Sequence, residues 1–190
     1  MSPSPDKSDL RRSMRAARNA YVAGLGPEER AALQSRLAEI LWPVAQSVRC
    51  IAGYAARGSE IDPAMLLRRA ANAMIGLAYP AFASATAPMV FRSGQCAEDC
   101  PVGGVQPPHQ AKEIEPDLVL VPLLAVDQHG NRIGQGGGHY DRALPALRAA
   151  GVPLIGIGWT MQRLDFALTP DPWDIPLDGF ASPDGLELFR

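Results

Sequence analysis

Between residues 118 and 158 the chain reads as strand, glycine-rich loop, helix and strand, and that order leaves few folds open. Residues 118–126 (LVLVPLLAV) are almost continuously apolar, as a strand buried on both faces of a parallel sheet would be. Residues 127–131 (DQHGN) form a turn, and the loop GQGGGHYD follows at 134–141. A helix is expected over 143–150, closed by Gly151, and residues 152–158 (VPLIGIG) read as the next strand. Two parallel strands need a crossover, so this is a βαβ unit. Pro122 cannot donate to a ladder, which predicts an edge position or a bulge for the first strand.

The rest of the chain supplies layers for such a sheet. Residues 6–24 predict a helix with Leu10, Met14, Ala17 and Tyr21 on one stripe. Lys7, Arg11, Arg15 and Arg18 fall on an adjacent stripe, a row of cations beside a face that can bury. Pro27 suits the first position of a second helix carrying Leu33, Leu37, Ile40, Leu41 and Val44, which Pro43 kinks or closes. Residues 48–55 read as a short strand leading to the loop 57–60. Asp62 and Pro63 look like N-cap and first residue of a helix running to about 74. Residues 75–79 and 88–91 are further short strands. Residues 93–117 lack periodicity and read as a long loop, of a kind usually functional or mobile. Residues 1–5 look like a frayed, disordered tail. The expected architecture is one domain over 1–190, a three-layer α/β/α sandwich around a mostly parallel sheet, Rossmann-like in plan.

Composition narrows the function classes. A chain of 190 residues with 47% hydrophobic content can build its core without disulfides or structural metals. No apolar run approaches the roughly 18 residues of a membrane span, and no apolar segment follows the charged start. A cytoplasmic protein without membrane attachment is expected. A net charge of −2 gives no case for nucleic acid. Three cysteines, an odd number, fit a reducing compartment. Cys96, Cys100 and His109 lack the second ligand pair of a zinc cage. Charge is nevertheless uneven: residues 7–18 carry Lys7, Arg11, Arg12, Arg15 and Arg18 against Asp9 alone, whereas 159–190 carry six acids against two arginines. The two ends could pair with each other, share a charged ligand and its metal, or be two solvated surfaces.

A glycine-rich turn leading into a helix N-terminus is a physical anion site. Glycine lets backbone N–H groups approach phosphate oxygens, and the helix start adds unpaired donors. The loop is not a P-loop, because no Lys-Ser/Thr follows the glycines. It is not a dinucleotide fingerprint either, because the glycine spacing differs. Arg132 just before the loop offers a fork of donors to a phosphate. Asp141 at its end offers an oxygen to a divalent cation, or else caps the helix. A tight crossover turn without a ligand remains the alternative.

The stretch GNRIGQGGGHYDRAL resembles the signature of the 5-formyltetrahydrofolate cyclo-ligase (methenyltetrahydrofolate synthetase) family. Lys7 and Arg11 match its Lys and Arg four apart on the first helix. Gly58-Ser59-Glu60-Ile61-Asp62 matches its Gly/Glu turn, and Trp173-Asp174 with Asp178 matches its closing acids. These matches run in order over nearly the whole chain. The resemblance implies ATP- and Mg²⁺-dependent cyclisation of 5-formyltetrahydrofolate to 5,10-methenyltetrahydrofolate, with release of ADP and phosphate through an iminium phosphate. It implies ATP phosphates held by Lys7, Arg11, Arg132 and the backbone of Gly134, Gln135, Gly136, Gly137, Gly138, His139 and Tyr140. It implies folate contacts at Ala55, Glu60 and Tyr140, Mg²⁺ at Asp141 and Asp174, and catalytic parts for Arg132 and Tyr140. A monomer acting on small molecules is expected. Residues 93–110 lack a Trp that the family often packs on substrate, Trp173 replaces its usual His, and the 80–81 step lacks its basic residue. The competing function is a non-catalytic protein on the same scaffold that binds a nucleotide, a sugar phosphate or a folate.

Overall fold

The computed structural model describes residues 6–189, so the expected tail at 1–5 lies outside the described residues. In chain order the elements are α1 (Lys7–Gly24), α2 (Pro27–Ala45), β1 (Cys50–Ala52), α3 (Ala64–Asn72), β2 (Gly76–Ala81), β3 (Val90–Ser93), β4 (Glu98–Asp99), β5 (Val105–Gln106), β6 (Leu118–Pro122), β7 (Ala125–Val126), β8 (Arg132–Ile133), α4 (His139–Ala149), β9 (Leu154–Ile157), β10 (Gly179–Ser182) and β11 (Gly185–Leu188). Seven strands form one sheet in the order β11-β10-β9-β6-β1-β2-β3. The five inner strands run parallel, and an antiparallel strand closes each edge.

Period-two alternation along β6 distributes the core between two layers. Leu118 and Leu120 face Leu37 and Leu41 of α2 and Leu66 and Ala70 of α3. Val119 and Val121 face the other way, toward Leu144 of α4, Leu154 and Phe180. A third, smaller cluster joins Leu10 and Met14 of α1 to Leu124, Ala125 and Ile133, just beyond the end of β6. Helices thus cover both faces, as the sandwich requires, while α1 lies across the carboxyl ends of the parallel strands. No described helix is long and apolar enough to cross a membrane.

Several expectations need correction. β6 is central rather than at an edge. Pro122 is tolerated because it is the last residue of the strand, opposite Ile157, while β1 pairs only as far as Val119. The stretch 93–117 is not one long loop: β4 and β5 form a small antiparallel hairpin within it. α4 starts at His139, four residues earlier than expected, with Gly138 as its cap at φ +65°. Pro63 is the cap of α3, and Asp62 reaches past it to accept from the Ala64 N–H at 2.9 Å. On α1 the buried residues are Leu10, Met14 and Arg18, whereas Ala17 and Tyr21 are exposed.

Candidate active site

The carboxyl ends of β1, β2 and β6 open onto a cavity of about 530 Å³, where ligands of open parallel sheets bind. One side is apolar and aromatic: Tyr79, Pro80, Phe82 and Met89 from the β2–β3 hairpin, and Cys100 and Val102 from the β4–β5 hairpin. The opposite side is the glycine loop, residues 134–138, leading into His139 and Tyr140 at the start of α4. Gly136 at φ +98° and Gly138 at φ +65° hold conformations that side chains rarely adopt. A Cβ on Gly137 would stand 2.8 Å from the His139 ring.

α1 lines the loop with cations. Arg11 donates through Nε to the Gly134 carbonyl at 3.3 Å, and Arg15 donates to the Gln135 side chain at 2.9 Å. One turn earlier, Lys7 Nζ lies 2.6 Å from Asp171 and 2.8 Å from Asp174. The basic and acidic ends of the chain therefore meet. Burial works against the charge of Lys7, but the two carboxylates outweigh it and hold the ammonium above its ordinary value. Burial likewise opposes the charge of Asp174, and hydrogen bonds from Lys7 and the Asp171 N–H bring its carboxyl below the usual range.

Arg132 is placed at the loop, yet its fork is engaged. It donates to Asp141 and, through Nη1 at 2.9 Å, to the carbonyl of Ile175. Each of the two expected metal aspartates is thus paired with one of the expected phosphate cations. Among the described residues no three acids, histidines or cysteines cluster as a ready metal cage. The donor set fits a cation that takes one or two carboxylates and completes its shell with phosphate oxygens and water, as Mg²⁺ does.

Glu60 is 8% exposed and sits at the cavity wall. Its carboxylate accepts from the Arg57 N–H at 2.9 Å and the Gln135 amide at 3.1 Å, with Arg18 Nη1 at 4.0 Å. Gln135 therefore points its side chain at Glu60 and Arg15, bridging the glycine loop to the acidic wall. Ala55, just past β1, also lines the cavity. Tyr140 projects into it, and its hydroxyl is buried without a hydrogen-bond partner. Burial, reinforced by Glu60, pushes its phenol pKa far up, so the group stays a neutral donor. The His139 ring packs edge-on against Phe82 at 4.8 Å with Nδ1 at 3.1 Å from Arg142. Burial, helped by Arg142 and Arg57, lowers its pKa.

Arg18, expected only in the cation row, and Arg57, expected only in a loop, are both built into the site. Arg18 is buried, donating to Ser59 Oγ at 3.0 Å and the Leu123 carbonyl at 3.4 Å behind Glu60. Its signal was the i, i+4 step from Leu10 through Met14, which puts it on the burying face. Arg57 donates to the carbonyls of Val102 and Gly103, tying the β4–β5 hairpin to the Glu60 turn. No short-range pattern announces that contact.

The chain matches the family model described as the 5-formyltetrahydrofolate cyclo-ligase family over residues 3–183. Curated relatives named 5-formyltetrahydrofolate cyclo-ligase include one from Haemophilus influenzae, 38% identical over 63 residues, covering 33% of each chain. Another, from Escherichia coli (strain K12), is 36% identical over 67 residues, covering 35% of this chain and 36% of the relative. The matched stretch spans about a third of the length of these relatives. A 5,10-methenyltetrahydrofolate synthetase from Aquifex aeolicus superposes with a TM-score of 0.81 at 24% identity over 97% of this chain and 93% of its own, a likeness of fold. One from Mycoplasma pneumoniae gives a TM-score of 0.71 at 26% identity, covering 94% and 99%. The family model begins ahead of Lys7 and ends beyond Asp178, taking in every segment that meets at the cavity, and the chain belongs to the 5-formyltetrahydrofolate cyclo-ligase family.

Proposed function

We propose that the protein converts 5-formyltetrahydrofolate and ATP to 5,10-methenyltetrahydrofolate, ADP and phosphate. The observation that carries this reading is the continuity of one cavity from the glycine loop to Glu60 and Tyr140. A phosphoryl donor on the loop and a folate against the aromatic wall would meet there. Lys7, Arg11, Arg132 and the backbone of 134–140 hold the triphosphate. Ala55, Glu60 and Tyr140 hold the folate. Asp141 and Asp174 hold Mg²⁺, which offsets phosphate charge when bound. A triphosphate that draws Lys7 and Arg132 to its oxygens leaves both carboxylates facing the cation that travels with it.

The work asked of the protein is positioning and charge neutralisation, as in most phosphoryl transfers. The formyl oxygen attacks the γ-phosphorus and ADP leaves. N10 then adds to the activated carbon and gives up its proton to solvent, and phosphate departs to leave the methenyl product. Tyr140, neutral and without a partner, is placed to donate to an oxygen that gains charge on this path. Glu60 accepts from the folate, with Arg18 Nη1 at 4.0 Å behind it. The protein acts as a single-domain monomer in the cytoplasm. Incubating folded protein with Mg²⁺, ATP and 5-formyltetrahydrofolate should raise the methenyl absorbance in the near ultraviolet. An unchanged spectrum would end this reading in favour of a binding protein. Asp141→Asn and Asp174→Asn should both raise the Mg²⁺ needed for turnover.

A further inference from the structure

Trp173 is a large apolar side chain left mostly in solvent, outside the hydrophobic clusters of the described residues. It is 65% exposed, in contrast to Trp159, which is fully buried, and Trp42, which lies under the Arg69 guanidinium at 4.1 Å. Tryptophan is highly buried on average, and an indole left in water forgoes a large hydrophobic gain.

The turn that carries it is held firmly. The Asp174 N–H donates to the Asp171 carbonyl at 2.9 Å, and the Asp171 N–H donates to the Asp174 carboxylate at 2.8 Å. Pro170, Pro172 and Pro176 restrict the backbone on either side. Lys7 clamps the turn from α1 through both aspartates, and Arg132 clamps it through the Ile175 carbonyl at 2.9 Å. An aromatic ring on a stiff support loses little entropy when a flat ligand covers it. Moreover, both clamping cations stand near the first residue of the glycine loop. Arg132 lies two residues before Gly134, and Lys7 lies one helical turn, about 5.4 Å, from Arg11, which donates to the Gly134 carbonyl. A nucleotide whose phosphates lie on the loop and reach Lys7 would bring its base to the 171–174 turn.

We infer that Trp173 is the stacking platform for the nucleobase of the nucleoside triphosphate. The inference rests on the nucleotide half of the proposed function and adds a residue that fixes the base, where Lys7 and the loop fix only phosphates. Stacking is tolerant of base identity because every base has a π-face, and larger purine rings gain more from it than pyrimidines.

The test compares Trp173→Ala and Trp173→Phe with wild type in the full chain, measuring binding of Mg-ATP, Mg-UTP and inorganic tripolyphosphate by calorimetry. Trp173→Ala should weaken Mg-ATP by about 5- to 100-fold, weaken Mg-UTP less, and leave tripolyphosphate unchanged. Trp173→Phe should recover most of the ATP affinity. Mg-ATP should quench the wild-type tryptophan fluorescence, tripolyphosphate should not, and Trp173→Phe should abolish the quench. The KM for 5-formyltetrahydrofolate should stay put. Unchanged ATP affinity in Trp173→Ala overturns the inference. So does an equal loss for tripolyphosphate, which would mean the residue acts through the Lys7 clamp. A wild-type protein that shows the Trp173-dependent ATP quench but forms no methenyl product refutes the cyclisation and leaves the base platform standing.

Discussion

Arg18→Met asks whether the acidic wall depends on a buried countercharge. The guanidinium is 4% exposed and the Glu60 residue 8%. Burial pulls the Arg18 guanidinium below its ordinary value, and the Glu60 carboxylate works against that pull. Removing one partner of a buried pair costs roughly 3–5 kcal/mol, because the other charge is left uncompensated. Here the pair is loose at 4.0 Å, and Glu60 keeps the Arg57 N–H and the Gln135 amide. Methionine also replaces much of the arginine stem. The cost should therefore fall at the lower end, about 3 kcal/mol, or roughly 6–12 °C in melting temperature for a domain of this size. Glu60→Gln alone should cost about 2 kcal/mol by stranding the guanidinium. The double variant has no stranded charge, so its loss should fall at least about 1 kcal/mol short of the sum of the two single losses. Urea denaturation decides it, with midpoints moving at constant slope. Losses that add within about 0.5 kcal/mol would show that the two side chains do not sense each other, and the charge argument for the wall would fall.

Three further perturbations address other parts of the site. Gly137→Val places a branched side chain where a Cβ already meets the His139 ring at 2.8 Å, so Mg-ATP affinity should drop more than about tenfold. Unfolding should stay cooperative, and unaltered ATP binding would reduce the loop to a turn. Lys7→Met should cost about 0.5–1 kcal/mol, since Lys7, Asp171 and Asp174 are 28%, 45% and 19% exposed. Lys7 is raised, so its contribution holds below the unfolded value of about 10.4 and fades above it; Asp174 is lowered, so its contribution holds above about 3.9 and fades as pH falls. The stability gap to wild type should thus be flat between about pH 5 and 9 and close at both extremes; a gap that persists at pH 2 would contradict the assignment. Tyr140→Phe removes a buried hydroxyl that has no partner, so stability should hold or rise by up to about 1 kcal/mol while kcat falls. An unchanged kcat would remove Tyr140 from the chemistry.

Local periodicity made the frame legible. The apolar run at 118–126 and the glycine loop after it imply a parallel βαβ pair, which β6 and β9 form, but only 118–122 stay in that strand, while 125–126 leave it as β7 to pair with β8. The helices of residues 7–45 were visible as apolar steps of three and four broken by Gly24, Gly26 and Pro27. What sequence reading missed lacked a repeat to read. Two-residue strands such as β4 and β5 are too short to alternate. The start of α4 is hidden because Gly, His, Tyr and Asp carry no apolar stripe, and a left-handed Gly138 sets it instead. Helical spacing puts Arg18 on the cation row with Lys7, Arg11 and Arg15, but the same spacing from Leu10 and Met14 puts it on the face that buries. The partners of Lys7 lie 164 and 167 residues away, and only the fold could choose between pairing of the two ends and two solvated surfaces.

Under the proposed function, the charge balance around the loop would call for a divalent cation beside the nucleotide. Lys7, Arg11, Arg15, Arg132 and Arg142 surround residues 134–141, and Asp141, Asp171 and Asp174 are paired into the same cluster. Five cations against three carboxylates leave two surplus positive charges. An ionised triphosphate brings far more negative charge than that surplus offsets, into a place where Lys7 and Arg132 are already partly withdrawn from water. Phosphate alone would have to compete with the aspartates for the same cations. Under the proposed function a divalent ion would turn that competition into an exchange, the phosphates taking the Lys and Arg donors and the aspartates offering oxygens to the ion. The geometry asks for little movement in that exchange, since Lys7 and Asp174 touch at 2.8 Å and Arg132 reaches both Asp141 and the backbone of Ile175. Arg18 and Glu60 stand apart from this cluster, across Gln135, whose amide donates to Glu60.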